Sequence, residues 1–151
     1  MFLIKDTLEQ RQDKIRSFLP GEPVIAILLA AADFEWTVRR AIRCFAHKTG
    51  NGPGLKLEKA SGLKVYCECW ATAATPRFAK LDVVVQDWNS LQKSFNLRHK
   101  LIHGAQGTTG ASFATPRVEG ILAASAAVAK YTLEHGGPIY GKKLPPRKKP
   151  R

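Results

Sequence analysis

Apolar residues recur through most of the chain at spacings of three and four, which is the period of amphipathic helices. A first helix is predicted within residues 3–19 and ends before the breaker Pro20-Gly21. A second, longer helix is predicted over residues 22–46, because Pro23 suits a first helical turn and one apolar stripe follows it. The members of that stripe are Val24, Leu28, Ala31, Val38, Ile42 and Phe45.

The middle of the chain is less regular. Residues 47–54 hold five consecutive turn-forming residues at their end and are predicted as a linker. Residues 55–74 mix the alternation of a strand with a helical stretch. We favour a helix there, because the segments on both sides are helical in pattern.

Two further helices are predicted in the second half, each opened by a Thr-Pro pair. The first runs from Thr75-Pro76 toward Arg98 with an apolar stripe of Leu81, Val84, Val85, Trp88, Leu91 and Phe95. After a loop over residues 104–114, the second runs from Thr115-Pro116 to Gly136 and carries Val118, Ile121, Leu122, Val128 and Leu133. The pattern therefore predicts an all-α fold, a compact bundle of four to five helices.

Length and charge refine this into one domain and a tail. A chain of 151 residues is long enough to bury a single core, so residues 1–141 are predicted to form one helical domain. The net charge is +12, and residues 142–151 supply six Lys or Arg and no acid, so half of the excess lies in that segment. This basic, Pro-rich tail is predicted to be disordered, because it has almost nothing apolar to bury. A basic excess favours an anionic partner such as nucleic acid.

Composition also bears on location. The longest apolar run, residues 24–32, is too short to span a bilayer, so no membrane association is predicted. The N-terminus lacks the charged and apolar regions of a secretory signal. The three cysteines, Cys44, Cys67 and Cys69, cannot all pair and have no zinc spacing, which favours reduced thiols in a cytoplasmic protein.

One acidic residue, Glu35, lies on the apolar stripe of the long helix. A buried carboxylate is costly without a partner. Two interpretations are open: Glu35 lies at the rim and pairs with Arg39 one turn later, or it faces inward and orients a polar site.

The chemistry-bearing residues concentrate in Arg98-His99-Lys100-Leu101-Ile102-His103. Arginine is a permanent fork of donors suited to phosphate, and histidine exchanges protons near neutral pH. Together they suffice for RNA cleavage by the ribose 2′-OH without a metal ion, and the sequence has no cluster of carboxylates or Cys/His pairs that predicts a metal site. Residues five apart on a straight helix diverge by about 140°. Either the helix therefore breaks between Arg98 and His103, or a second chain completes the site.

The segment Arg98-His99-x3-His103-Gly104 resembles the signature of the HEPN domains, which is an Arg, four to six residues and a His, usually with a polar residue after the Arg. The helix order over roughly residues 5–135 is also similar to that family. The looser spacing recurs at Arg40 and His47, but there the apolar Ala41 follows the Arg.

The resemblance implies a metal-independent endoribonuclease without a cofactor, acting as a homodimer whose two motifs face each other. Arg98 and His103 are then the catalytic pair, His103 as general acid/base and Arg98 as the phosphate clamp. His99 takes the polar supporting position, and Glu35 is a second supporting candidate. Lys93 and Lys100 are the candidates for RNA binding.

By the same resemblance the protein is a toxin or a defence effector, with an antitoxin protein as a partner. Toxins paired with nucleotidyltransferase antitoxins carry a Tyr two residues after the His, where this chain has Ala105. Three alternatives stay open. The cationic cluster could only stabilise a helix end, the bundle could be a non-catalytic module that binds RNA, nucleotide or protein, or the tail could serve a DNA-binding regulator.

Overall fold

The computed structural model describes residues 5–52 and 56–140. Within these ranges the regular structure is entirely helical, which confirms the predicted all-α class. The six helices are α1 (Leu8–Arg16), α2 (Pro23–Thr49), α3 (Leu63–Ala74), α4 (Leu81–Val85), α5 (Trp88–Ile102) and α6 (Ala111–His135). None of the described helices combines the length and apolar character needed to cross a membrane. The predicted tail, residues 142–151, lies outside the described residues.

The first three helices follow the predicted pattern with shifted ends. A capping box opens α1, where the Thr7 hydroxyl accepts a hydrogen bond from the Gln10 N–H at 3.2 Å. Helix α2 begins at Pro23 as predicted but continues to Thr49, through the start of the predicted linker, and ends at Gly50 in the left-handed region. The ambiguous segment forms a helix, α3, as favoured.

The single helix predicted from Thr75-Pro76 is wrong in its start and in its continuity. Helical structure begins only at Leu81, and the helix is interrupted at Gln86, whose φ is +66°. Asp87 then caps α5 by accepting a hydrogen bond from the Ser90 N–H at 3.2 Å. This break makes six helices where four or five were predicted. The apolar stripe itself spans the break and faces the core, because the two helices bury the same side.

The last helix begins four residues earlier than Thr115-Pro116 predicts. Gly110 precedes its first residue, Ala111, and the Thr115 hydroxyl donates to the Ala111 carbonyl at 2.7 Å instead of capping the helix. The predicted stripe is buried except at Leu133, which is 61% exposed. The early start brings the first turns of α6 alongside the end of α5.

Helix α2 is the centre of the fold and contacts α1, α3, α5 and α6. On one side, Phe45 packs against Trp70 and Phe78, with ring centroids 5.0 Å and 4.8 Å apart. On another side, Phe34 meets Phe95 of α5 edge to face at 5.6 Å. This second contact fixes the register of α2 against α5 in the turns that carry Glu35 and Arg98.

A buried ion pair joins α1 to α2. Arg11 Nε lies 2.6 Å from Asp33 Oδ1, and both side chains are almost fully buried. The Arg11 guanidinium also lies 3.9 Å from the centroid of the Trp36 ring. Burial raises the pKa of the Asp33 carboxyl, and the charge of Arg11 opposes that rise.

The thiols are poor nucleophiles in this fold. Burial, together with the charges of Asp82 and Glu68, raises the pKa of Cys67 to about 11. At pH 8 about one thiol in a thousand is then the reactive thiolate. We expect Cys67 to react with iodoacetamide at least about tenfold more slowly at pH 8 than free cysteine, and to gain about tenfold per pH unit up to pH 11. Mass mapping of the labelled peptides measures this, and rapid labelling of Cys67 at pH 7 would contradict it.

Candidate functional site

The candidate site lies at the C-terminal end of α5. The last helical residue is Ile102, and His103 follows it with its N–H donating to the His99 carbonyl at 3.0 Å. The helical hydrogen bonding therefore continues through the whole segment, and the helix does not break between Arg98 and His103. The chain turns away only at Gly104, whose φ of +72° is readily adopted by glycine.

Arg98 faces α2 and meets Glu35. The distance from Arg98 Nη2 to Glu35 Oε1 is 3.5 Å, and the side chains are 28% and 16% exposed. Glu35 Oε1 accepts no hydrogen bond from any described residue, so the charge of Arg98 is its main compensation. A guanidinium carries five N–H donors. Contact through one of its nitrogens leaves others free to bind an anion that approaches the partly exposed side.

Of the two interpretations of Glu35, the pairing with Arg39 is wrong, because Glu35 pairs with Arg98. Arg39 donates instead to the Tyr66 hydroxyl at 2.9 Å and to the carbonyls of Leu57 and Ala60 at 2.9 and 2.6 Å. These acceptors belong to α3 and the segment before it, which pack on the side of α2 where Arg39 points. Three acceptors satisfy the N–H groups of the Arg39 guanidinium more completely than one carboxylate would. Glu35 therefore forms its ion pair with Arg98.

Tyr66 contacts both Arg39 and Glu35. Its hydroxyl lies 3.5 Å from Glu35 Oε2 and 3.2 Å from the Ala60 carbonyl, so one proton serves two acceptors. Burial and the charge of Glu35 raise the pKa of this phenol, and Arg39 opposes the rise. Tyr66 therefore stays neutral at physiological pH and donates to Glu35 Oε2, while Arg98 contacts Oε1.

The two histidines of the segment are exposed and adjacent. The ring centroids of His99 and His103 are 4.2 Å apart, as expected for residues one helical turn apart. His103 is exposed, and its side chain makes no hydrogen bond with a described residue. Such a side chain is available to exchange protons with a bound substrate.

Lys93 and Lys100 are both exposed and line the same cleft. The cleft lies between α5 and the first turns of α6 and has a volume of about 250 Å³. The structure therefore brings both RNA-binding candidates to this cleft, on the side of α5 that also carries His103. Arg98 lies on a different side, toward α2.

The second Arg and His pair, Arg40 and His47, is arranged differently. Arg40 Nε donates to the Ile139 carbonyl at 2.7 Å, and its guanidinium lies 4.6 Å from the centroid of the Trp36 ring. Arg40 thus fastens the segment after α6 onto α2, while His47 is exposed in the last turn of α2. We retain Arg98 and His103 as the candidate pair.

Tyr66 is a candidate site residue that the sequence did not identify. Tyr66 stands 31 positions from Glu35, in a segment whose secondary structure was itself ambiguous. Their meeting depends on how α3 packs on α2, and no local pattern carries that information.

Comparison with protein-family models, curated proteins and solved structures gives no significant match. Over residues 5–52 and 56–140, no three His, Cys, Asp or Glu side chains are grouped so that they could hold a metal ion. The geometry around Arg98 and His103 is therefore the basis for a functional assignment.

Proposed function

We propose that this protein is an endoribonuclease that cleaves RNA by attack of the ribose 2′-OH, with Arg98 and His103 as the catalytic pair. More specifically, we propose an enzyme of HEPN type that needs no metal ion and acts in the cytoplasm as a toxin or a defence effector, with an antitoxin protein as a partner. The observation that supports this best is the pair of side chains near the end of α5. There an exposed histidine and a partly exposed arginine that pairs with a partly buried carboxylate occur within six residues.

Each residue has a distinct role in the proposed reaction. His103 removes the proton from the 2′-OH, and the oxygen attacks the adjacent phosphorus. Arg98 binds the phosphate oxygens and stabilises the negative charge that develops on them. The bond from phosphorus to the 5′-oxygen breaks, and that oxygen takes up a proton. The products are a 2′,3′-cyclic phosphate and a 5′-hydroxyl end.

We propose a homodimer because the helix is unbroken through the motif. On such a helix Arg98 and His103 diverge by about 140°, and here Arg98 faces α2 while His103 faces solvent. A second copy that brings its own motif opposite the first would supply the missing group. One histidine would then act as the base and the other would protonate the leaving 5′-oxygen.

The alternative is a HEPN-like module that binds RNA, nucleotide or protein without cleaving RNA. The cationic cleft beside the motif favours it, since Lys93 and Lys100 suffice for binding. The two functions are distinguished by incubating the protein in EDTA with an RNA oligonucleotide and with its 2′-deoxy counterpart. The nuclease cleaves only the RNA, whereas equal binding of both without turnover supports the module.

Glu35 is proposed as a positioning residue for Arg98. We expect Glu35→Gln, which keeps the shape and removes the charge, to lower the rate of RNA cleavage by about tenfold to a hundredfold, because a displaced clamp loses its alignment with the phosphate. Single-turnover cleavage at saturating protein measures this. Glu134→Gln is the control, since Glu134 is exposed near the end of α6.

The expected signature is a loss confined to the chemical step, with RNA affinity changed less than threefold. A fall in melting temperature that accounts for the lost activity would show that Glu35 is only structural. Wild-type cleavage by Glu35→Gln would contradict the positioning role.

A further inference from the structure

The cleft beside the motif is lined by further side chains in addition to Lys93 and Lys100. Its walls come from α5, from the loop over residues 103–110 and from the first two turns of α6. Beyond Lys93 and Lys100, it is lined by Asn96, Gln106, Phe113 and Arg117. The Gln106 N–H donates to the Lys100 carbonyl at 3.2 Å, which folds the loop back against α5 and forms one wall.

The charge of the cleft favours an anion. Lys93, Lys100 and Arg117 contribute three cations, and no carboxylate lines the cleft in the part of the chain that the structure describes. Within the same residues, none of the three has a carboxylate partner within 4 Å. No ion pair among the described residues therefore neutralises these three charges, and a phosphate group in the cleft would be attracted by all of them. The carboxylate near Lys93 is that of Asp87, whose pKa is lowered by hydrogen bonds from Ser90 and by the charge of Lys93.

An aromatic platform lies at the α6 side of the cleft. The Arg117 guanidinium lies 3.6 Å from the centroid of the Phe113 ring, and Phe113 is 47% exposed. A phenyl ring left half exposed beside a fixed guanidinium has no role in the core. Nucleobases stack on aromatic rings and on arginine planes, and such stacking is how proteins bind single-stranded RNA.

The cleft and His103 lie on one side of α5, whereas Arg98 faces α2 on another. Lys93, Asn96, Lys100 and His103 follow one another at spacings of three and four, so they form a row along the helix. A chain of nucleotides that lies along this row would pass from the cleft directly to His103. The volume of about 250 Å³ is slightly below the range of about 300–1,000 Å³ that is typical of pockets for drug-sized ligands, so the cleft suits no more than one nucleotide.

We propose that the cleft is a subsite for one nucleotide of single-stranded RNA next to the scissile phosphate. Phe113 and Arg117 receive the base, and Lys93 and Lys100 bind the flanking phosphate. This assignment rests on the proposed ribonuclease function, and it names the substrate as an unpaired RNA segment, since a base in a duplex cannot reach the Phe113 ring.

The test compares the binding of three anionic probes to the full-length protein. Fluorescence anisotropy measures binding of labelled oligoadenylate, with inorganic polyphosphate as a competitor that has charge but no base, and vesicles with anionic lipid are tested by sedimentation. We expect Phe113→Ala to weaken oligoadenylate binding by about tenfold and to leave competition by polyphosphate unchanged. Lys100→Ala should weaken both, and the exposed Lys130→Ala on α6 is the charge-matched control.

Three results would overturn the subsite: wild-type affinity of Phe113→Ala for oligoadenylate, an equal loss for RNA and polyphosphate, or Phe113-dependent binding to vesicles but not to RNA. Unchanged helix content in the variants excludes unfolding as the cause. Failure of the ribonuclease proposal is separate. If the wild-type protein binds oligoadenylate through Phe113 but never cleaves RNA, the result supports the nucleotide subsite and contradicts the ribonuclease function.

Discussion

His103→Ala is expected to abolish RNA cleavage and to leave the fold intact. The proposed general acid/base contributes about 10²- to 10⁴-fold to the rate, so cleavage should fall by at least about a hundredfold. The side chain is exposed and makes no hydrogen bond with a described residue, so its removal costs the fold almost nothing. Gel-based cleavage of a labelled RNA measures the first effect, and circular dichroism and melting temperature measure the second.

His47→Ala is the matched control for this prediction. His47 also follows an arginine at the spacing of the signature and is also exposed, but its arginine, Arg40, is bonded to the Ile139 carbonyl. We expect His47→Ala to cleave RNA as the wild type does. Loss of cleavage in His47→Ala with full activity in His103→Ala would show that the wrong pair has been assigned.

Arg11→Met is expected to have the largest effect on stability, lowering the free energy of unfolding by about 3–5 kcal/mol. The substitution keeps the length of the side chain but leaves the Asp33 carboxylate buried without its ion-pair partner. Asp33 Oδ2 already accepts no hydrogen bond from a described residue, so little is present to compensate the charge. Urea denaturation followed by circular dichroism measures the loss.

The double variant Arg11→Met/Asp33→Leu separates the ion pair from general packing. Replacing both partners removes the buried charge, so we expect it to recover most of the stability that the single variant loses. A single variant as stable as the wild type would show that Arg11 and Asp33 are not coupled. A double variant less stable than the single one would assign the effect to lost packing around Trp36.

The sequence predicted well which helix faces are buried, because the period of apolar residues determines them. It predicted poorly where helices begin and end, because a single turn determines that. Except at Trp88, which is only partly buried, the stripe from Leu81 to Phe95 is buried as predicted, because burial follows the helical period. The break at Gln86 inside that stripe has no such signal, since the same residues face the core on both sides of it. Likewise, Thr115-Pro116 is a common helix start, but tertiary packing extends α6 back to Ala111.

In the candidate site, the residues within one segment could likewise be predicted from the sequence, whereas the contacts between helices could not. Arg98, His103, Lys93 and Lys100 were found in the sequence, because they lie within one helix and the residue after it. Of the two interpretations of Glu35, the pairing with Arg39 was wrong, and its ion pair with Arg98 was not foreseen, because that pair depends on how α2 packs against α5. Phe113 and Arg117 were missed for a related reason: they join the cleft only because α6 starts early and lies against α5.

The chemistry of the cut ends tests the central claim most directly. Wild-type protein and His103→Ala are incubated with total RNA, and the new ends are mapped and classified at nucleotide resolution. The account predicts 2′,3′-cyclic phosphate and 5′-hydroxyl ends in the wild-type sample and none above background with His103→Ala. Full cleavage by His103→Ala, or 5′-phosphate ends in the wild-type sample, would contradict it.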